Sequence, residues 1–303
     1  MRYFAITVTA FANWLFVWQI GCFVIGVSQG DKILPRSSFE AQFGPLWWMG
    51  MSIAVIVILA VIGASPLNEW FSRLFFPMRR LVKREKERLQ PLMQEIMRRY
   101  RQRTGKNKKV KLYIIDDPIP QAQALGHSTL ILTQGLLASD DDQIAAVIGH
   151  ELGHLYHGDS ALLMAMRGIN LLARIFGGIV AIFMADEPPK KRKKDDNDDS
   201  EGAISGFILM ALLPFMLLAG VSKMIEGIAW FIVSLNSRRV EFRADRFSAE
   251  LGYAAGLREF FEDISQIEYR PRYGFMVMYT NSHPPIANRL EQLEKFMEKK
   301  GQL

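Results

Sequence analysis

The chain has 303 residues, half of them hydrophobic, and a formal net charge of +6. This apolar fraction is high for a soluble protein and indicates membrane segments. Its single cysteine, Cys22, lies in an apolar run, which excludes an internal disulfide and a cysteine-based metal site. The sequence shows no nucleic-acid-binding module, so we expect no nucleic acid as a partner.

Residues 1–65 are predicted to form an N-terminal transmembrane hairpin, because apolar runs at 4–27 and 47–65 are each long enough to span a bilayer. Basic residues are dense after the second run and sparse between the two runs. The positive-inside rule therefore places both ends of the hairpin in the cytoplasm. A cleaved signal peptide is the alternative for the first run; the length of the run and the single basic residue before it, Arg2, disfavour that alternative.

Residues 66–159 are predicted to combine helices with a small β-sheet. Apolar residues recur at helical spacing over 81–100, which predicts an amphipathic helix. Residues 110–115 and 129–133 have the composition of strands, and a loop at 116–128 is expected between them.

The next predicted helix carries two histidines. Ser139 followed by Asp142 predicts its start, and Gly158 predicts its end. On such a helix His150 and His154 project from one face and can share one tetrahedral metal ion.

Residues 160–237 are predicted to form a second membrane hairpin, from apolar stretches at 160–185 and 202–222. The polar loop between them, 186–201, contains five consecutive basic residues, which is unexpected on the outer side of a membrane. A hairpin that enters the membrane without crossing it is therefore the alternative. Both arrangements return the chain to the same side.

The C-terminal part, 238–303, is polar. It is predicted to be helical at 241–252, 255–267 and 286–299.

Glu151 completes a His-Glu-x-x-His pattern, in which a carboxylate takes a proton from a zinc-activated water. A catalytic zinc site needs a third protein ligand. Glu241 and Asp245, four residues apart on a predicted helix, offer one carboxylate for the metal and one for a ligand imidazole. The alternative is an exposed helix on which the carboxylates pair with arginines, namely Arg238, Arg239 and Arg243.

The chain resembles the HtpX-type integral-membrane gluzincin metallopeptidases, a group that includes the CAAX prenyl endopeptidases. Four landmarks carry the resemblance: His-Glu-Leu-Gly-His followed by Gly158-Asp159; Glu241-x-x-Ala244-Asp245; Ser282-His283-Pro284-Pro285 with Arg289; and the order of the apolar segments.

The resemblance implies one zinc ion per chain, held by His150, His154 and Glu241, with Asp245 as support. It also implies that residues of the late motif help to stabilise the oxyanion of the tetrahedral intermediate, namely His283 and Arg289.

One segment departs from the family pattern. Gln121-Ala122-Gln123-Ala124 stands where the family usually has Asn-Ala-Phe-Ala. The strand at 129–133 is still expected to bind an extended substrate through main-chain hydrogen bonds. The substrate-binding residues predicted on this basis are Gln121, Ala122, Thr129, Ile131 and Thr133.

Two other histidines are interpreted as residues that do not bind the metal. His157 lies three residues after His154 and is interpreted as a helix-end residue, although a ligand role is the alternative. His127 is interpreted as a polar loop residue.

The sequence thus predicts a mainly α integral membrane protein with a small β-sheet, about four apolar membrane segments and a zincin-like catalytic domain with two metal-binding helices. The predicted activity is zinc-dependent hydrolysis of peptide bonds in membrane or misfolded proteins, with protein or peptide substrates and the lipid bilayer as partners. The resemblance implies a bacterial inner membrane with the catalytic face in the cytoplasm. A prenyl-protein-processing peptidase and a non-catalytic membrane adaptor or chaperone are the alternatives.

Overall fold

The computed structural model describes residues 6–15, 17–18, 38–75, 77–172, 175, 178, 220, 238–266 and 285–301. These residues are mostly helical, with one three-stranded sheet, as the sequence predicts. The contacts divide the chain into two units, which are Met1–Gly63 with Met166–Ile232, and Ala64–Ala165 with Val233–Leu303.

The first unit contains helices α1 (Ile6–Leu15) and α2 (Ser38–Ala64) and the last residues of α6 (Asp159–Ile169). Glycine at 168 allows α6 to approach α2, because a Cβ there would lie 2.6 Å from the carbonyl oxygen of Leu59. Outward-facing positions of α2 are apolar, among them Trp47, Met51, Ile53, Val57, Ile58, Val61 and Ile62.

In the described ranges, no single helix is long and apolar enough to cross a membrane. The segments Met49–Ala64 and Pro66–Leu74 pass that test together, with a bend of 66° between them. The predicted spans at 4–27, 160–185 and 202–222 lie wholly or partly outside the described residues and stay predictions.

The second unit begins with two helices, α3 (Pro66–Phe75) and α4 (Lys83–Thr104). α3 is short and was not predicted as a separate helix. The amphipathic helix predicted at 81–100 is confirmed as α4, and Gly105 ends it in the left-handed conformation, with φ of 70°.

The sheet contains β1 (Lys111–Ile115), β2 (Ala122–Leu125) and β3 (Thr129–Thr133) in the order β1-β3-β2. β3 is parallel to β1 and antiparallel to β2. β1 and β3 confirm the two predicted strands, but β2 lies inside the segment predicted as a loop. β3 is therefore the central strand rather than an edge strand.

Helix α5 (Asp141–His157) confirms the helix predicted to carry the histidines. Its N-cap is Asp140, whose backbone N–H donates to the side chain of Gln143 at 3.4 Å, so the start predicted at Ser139 was one residue early. Gly158 ends the helix as predicted, with φ of 74°.

The C-terminal helices are α7 (238–248), α8 (Ala254–Gln266) and α9 (Ile286–Lys300). A π-helical turn at Ala249–Tyr253 joins α7 to α8 and contains Gly252 at φ of 90°. α5 lies at the centre of the core of this unit, and its buried apolar residues pack with those of β3, α4 and α8, such as Leu130, Leu132, Ile144, Ile148, Leu152, Ile96 and Leu257.

A buried carboxylate attaches α3 to the turn between β2 and β3. Glu69, only 2% exposed, accepts hydrogen bonds from the backbone N–H of His127 at 2.9 Å, from the Ser128 hydroxyl at 2.8 Å and from the Thr129 hydroxyl. Burial by itself raises the pKa of Glu69, but the hydrogen bonds from Thr129, His127 and Ser128 together outweigh it and lower this pKa below 4.5.

Replacing this carboxylate with an amide is expected to destabilise the second unit. At neutral pH, Glu69→Gln should lower the free energy of unfolding by about 2 kcal/mol, because an amide cannot accept from all three donors. Since the folded-state pKa is depressed, the advantage of the wild type is present at neutral pH and is lost as pH falls through that pKa.

The melting temperatures of the two proteins in detergent, followed from pH 7 downward, test this expectation. Glu298→Gln, an exposed change on α9, is the matched control and should melt like the wild type. Equal melting of Glu69→Gln and wild type at pH 7 would contradict the role given to this carboxylate.

Candidate metal centre

Two imidazoles of α5 converge on one point. His150 and His154 lie one helical turn apart, and their Nε2 atoms are 3.1 Å from each other. The rings are nearly perpendicular, at 85°. Together with Glu151, they form a group of donor atoms that all lie within 4.8 Å of one another. The arrangement matches the face predicted from the four-residue spacing.

Small residues bring α7 close to this face of α5. A Cβ on Gly149 would lie 2.7 Å from the hydroxyl of Ser248, and a Cβ on Gly153 would lie 3.1 Å from the Cα of Ala244. Any larger residue at either glycine would push the helices apart. The Ser248 hydroxyl also donates to the carbonyl of Ala146, at 2.7 Å.

This approach places Glu241 of α7 against both histidines. Its carboxylate oxygens lie 3.5 Å from Nε2 of His150 and 3.6 Å from Nε2 of His154. Ligands about 2.1 Å from a tetrahedral ion lie about 3.4 Å from one another, so these three groups have the spacing of a ligand set. Glu151 is farther out, with an oxygen 4.0 Å from Nε2 of His150. Glu241 therefore fits the third ligand position better than Glu151.

Behind the first imidazole lies a buried ion pair. Nδ1 of His150 donates to Asp245 at 2.8 Å, and Asp245 accepts from Nε of Arg289 at 2.8 Å. The Arg289 guanidinium is itself buried and lies over the ring of Phe261, 4.3 Å from its centroid. Burial by itself raises the pKa of Asp245, but the charge and hydrogen bonds of Arg289 outweigh it and lower this pKa.

A second ion pair lies behind the other imidazole. Nδ1 of His154 is 3.5 Å from Asp159, the first residue of α6. One guanidinium nitrogen of Arg243, on α7, donates to both oxygens of this carboxylate at 2.8 Å. Burial by itself raises the pKa of Asp159, but the hydrogen bonds from His154 and Arg243 outweigh it and lower this pKa. The alternative interpretation of α7 was an exposed helix whose carboxylates pair with arginines. Arg243 does pair with a carboxylate, but that carboxylate is Asp159, which supports His154.

The electrostatic environment favours a cation. Burial alone would lower the pKa of His150, but hydrogen bonds to Asp245 and Glu241 outweigh burial and raise this pKa to about 10. Positive charge at the His150 imidazole is thus stabilised by the carboxylates that contact it, and a metal ion would satisfy the same demand.

The edge of the sheet meets the site at Glu151. The backbone N–H of Thr133 donates to the carbonyl of Gln121 at 3.0 Å, so Gln121 and Gln123 direct their backbone groups toward β3. The backbone groups of Ala122 and Ala124 therefore face the opposite edge. There the N–H of Ala124 donates to Glu151 at 2.7 Å.

The predicted substrate strand needs correction. β3 is paired on both sides and all five of its residues are buried, so the main chain of Thr129, Ile131 and Thr133 cannot bind a further strand. The strand with an edge toward the site is β2, which includes Ala122; Gln121 immediately precedes it. β2 was missed because its sequence, Ala-Gln-Ala-Leu, has no β-branched or aromatic residue.

Four further residues were singled out by the sequence, and the structure describes three of them. His157 is the last residue of α5 and packs edge-on against Phe247. His127 lies in the β2–β3 turn, as expected of a loop residue. His283 lies outside the described residues. Arg289 contacts Asp245 and Glu241, and the oxyanion role that the resemblance implied for it stays a prediction.

Comparison with known proteins identifies the family. The model of peptidase family M48 matches residues 83–297, more than two-thirds of the chain. A "Protease HtpX homolog" from Tropheryma whipplei (strain Twist) is 26% identical over 275 residues, which cover 82% of this chain and 87% of that protein. A "CAAX prenyl protease 1 homolog" from Oryza sativa subsp. japonica is 30% identical over 172 residues, but this chain spans only 36% of its length.

Among solved structures, a crystal structure of S. mikatae Ste24p is similar, with a TM-score of 0.48 and 21% identity, covering 84% of this chain and 60% of that one. The assignment rests on the sequence family and on the motifs, which meet in one site. The chain therefore belongs to peptidase family M48, a family of metallopeptidases, as the resemblance in its motifs predicted.

Proposed function

We propose that the chain is a membrane-bound, zinc-dependent endopeptidase that hydrolyses peptide bonds of membrane or misfolded proteins in protein quality control. The observation that carries the proposal is the convergence of His150, His154 and Glu241, whose donor atoms lie 3.1–3.6 Å apart beside Glu151. Two imidazoles and a carboxylate are a ligand set of catalytic zinc sites, which keep the fourth position open.

In this proposal His150, His154 and Glu241 hold one zinc ion per chain. When bound, zinc would lower the pKa of a water molecule and polarise a substrate carbonyl. The ion pairs behind the imidazoles, Asp245–Arg289 and Asp159–Arg243, fix the ring orientation of the two ligands. Arg289 is in this view a positioning residue, and His283 is proposed from its motif as the group that stabilises the oxyanion.

Glu151 is proposed as the general base. It lies beside the ligands without occupying their positions, and its second oxygen is held by the N–H of Ala124. A proton taken from water by this carboxylate can pass to the leaving amine, so one group serves both steps.

The edge of β2 opposite β3, which pairs with no other strand among the described residues and is called the free edge, is proposed as the substrate-binding strand. A peptide that pairs there in an extended conformation uses the outward N–H and C=O of Ala122 and the C=O of Ala124. Because Ala124 also contacts Glu151, pairing brings a peptide bond next to the base.

Attachment to the membrane is proposed from two observations. Half of the residues are hydrophobic, and α2 exposes many large apolar side chains. A bilayer would cover such a surface. We propose an integral membrane protein of the bacterial inner membrane with the catalytic face in the cytoplasm, since the basic residues follow the second apolar run.

The extent of similarity favours the HtpX-type substrate class over prenyl-protein processing. The HtpX homolog is matched over 87% of its length, whereas the prenyl protease homolog is matched over 36%. A non-catalytic adaptor would need neither the three metal ligands nor the general base, so their presence in one site favours an enzyme.

Removing the base tests the mechanism. Glu151→Gln should bind zinc like the wild type and lose cleavage of an unfolded membrane protein by about a thousandfold, because the amide cannot take a proton. Zinc content by elemental analysis and cleavage by gel assay are the measurements.

A prenylated CAAX peptide serves as the second substrate in the same assay. Undiminished cleavage by Glu151→Gln would refute the proposed mechanism. Cleavage of the prenylated peptide in preference to the unfolded protein would support the rival substrate class.

Weakening the supports of the imidazoles should reduce zinc affinity. Asp245→Asn should lower zinc affinity about 10- to 100-fold, because the amide orients the ring of His150 poorly and removes the negative charge that Arg289 contacts most closely. Asp159→Asn should cost less, since its contact with His154 is 3.5 Å rather than 2.8 Å.

Zinc dissociation constants from chelator competition measure both effects. Asp142→Asn, an exposed change in the first turn of α5, is the control. Equal zinc affinity for Asp245→Asn and this control would show that Asp245 does not support the His150 ligand.

Proline on the free edge tests the substrate strand. Ala122→Pro removes an outward N–H and should lower kcat/KM about tenfold, mainly through KM, with the melting temperature nearly unchanged. Gln123→Pro, one residue on, removes an N–H that faces β3 and should instead lower the melting temperature. The reverse pattern would mean that the outward edge is not where the substrate pairs.

A further inference from the structure

The short helix α3 is amphipathic, but its apolar face is exposed and its polar face is buried. Its residues Leu67, Trp70, Phe71 and Leu74 follow the i, i+3, i+4, i+7 pattern that normally faces a core, yet they are 52–69% exposed. The polar residue Glu69 is instead the buried one, at 2% exposure.

The contacts of Glu69 explain this orientation. The carboxylate accepts from the β2–β3 turn at His127 and Ser128, and Arg73 of the same helix donates to the hydroxyl of Thr129 at 3.3 Å. A rotation that buried the apolar face would break all of these contacts. The apolar face is therefore held outward.

A groove of about 1130 Å³ lies between α3, α4 and β1. Its floor is apolar, with Leu89, Met93 and Met97 of α4, and Trp70 and Leu74 form the wall on the α3 side. Methionine side chains adapt to hydrocarbon of varied shape. The volume slightly exceeds the usual range of ligand-binding pockets, about 300–1,000 Å³, and so leaves room for a large ligand.

The rim of the groove is positive. Arg80, Lys86 and Lys111 line it, and none of the described residues that line it is acidic. The nearby carboxylates Glu85 and Asp116 are already bound by Arg79, at 2.8 and 2.9 Å. Among the described residues no carboxylate forms an ion pair with Arg80 or Lys86, so these two charges can attract an anion.

We infer that this groove binds an anionic phospholipid. Its acyl chains would lie between α3 and the methionines of α4, and its phosphate would lie at Arg80 and Lys86. A hydrocarbon floor beneath a cationic rim fits an amphiphile with a negative head, and the outward face of α3 continues the apolar surface toward surrounding lipid. The inference concerns a site separate from the metal centre and does not depend on peptidase activity.

Lipid retention by the full-length chain tests the inference. The protein, purified in detergent and stripped of lipid, is titrated with phosphatidylglycerol or phosphatidylcholine of the same chains, and bound lipid is counted by native mass spectrometry. The wild type should retain one phosphatidylglycerol at least about tenfold more tightly than phosphatidylcholine.

Removing the two rim charges should abolish this preference. Arg80→Gln with Lys86→Gln should weaken phosphatidylglycerol binding about twenty-fivefold, since each cation near an anionic head contributes about fivefold. The matched control, Arg84→Gln with Lys109→Gln, removes the same charge from exposed neighbours that do not line the groove and should bind like the wild type.

A second pair of variants tests the contact between the acyl chains and the apolar wall of the groove. Leu74→Ser, on the groove wall, should weaken retention of both lipids, whereas Leu67→Ser, exposed on the same helix but not lining the groove, should leave it unchanged. Glycerol phosphate, which has no acyl chain, should not compete.

The inference would be overturned by equal retention of the two lipids, by equal losses in the two charge pairs, or by full competition by glycerol phosphate. The first two would indicate unspecific association, and the third a phosphate site. Displacement of the lipid by an acidic amphipathic peptide at equal concentration would assign the groove to a protein partner instead.

Discussion

The site depends on how closely α7 can approach α5. Gly149 and Gly153 stand next to the two histidines, and Ser248 and Ala244 oppose them across the helix contact. With side chains this small, the helix axes come near enough for a carboxylate on α7 to reach two imidazoles on α5. The residues that carry the chemistry are thus positioned by neighbours that have none.

Each imidazole has the same kind of support from a different part of the chain. Behind His150 lies Asp245 with an arginine from α9, and behind His154 lies Asp159 with an arginine from α7. Hydrogen bonds lower the pKa of both carboxylates. For Asp245 the larger contribution comes from Arg289, and for Asp159 it comes from His154 and then Arg243, so each carboxylate stays ionised and can accept from an Nδ1–H. The two pairs orient the Nε2 atoms toward one point.

Local signals predicted the helices well, because helix periodicity and caps are properties of nearby residues. α4, α5 and the glycine that ends α5 follow directly from spacing and turn chemistry. β2 and α3 did not follow. β2 has a weak strand composition and is formed by its pairing with β3, and α3 continues an apolar run while its orientation depends on Glu69.

The site shows the same division. The His-Glu-x-x-His spacing predicts one face of one helix, and the motif resemblance singled out Glu241, Asp245 and Arg289. The Asp159–Arg243 pair joins residues 84 positions apart, and no local pattern connects them. A helix-ending glycine directly before Asp159 was the available signal, because it sets the start of α6 beside the end of α5.

The β2–β3 hairpin connects helix α3 to the metal-binding helix α5. Its turn is held by Glu69 of α3, and its outer strand is held by Glu151 of α5 through Ala124. A shift of α3 therefore acts on the same hairpin whose free edge lies beside the proposed base. Because β3 is fixed by pairing on both sides, such a shift would be taken up at the turn and at β2, where a substrate would pair.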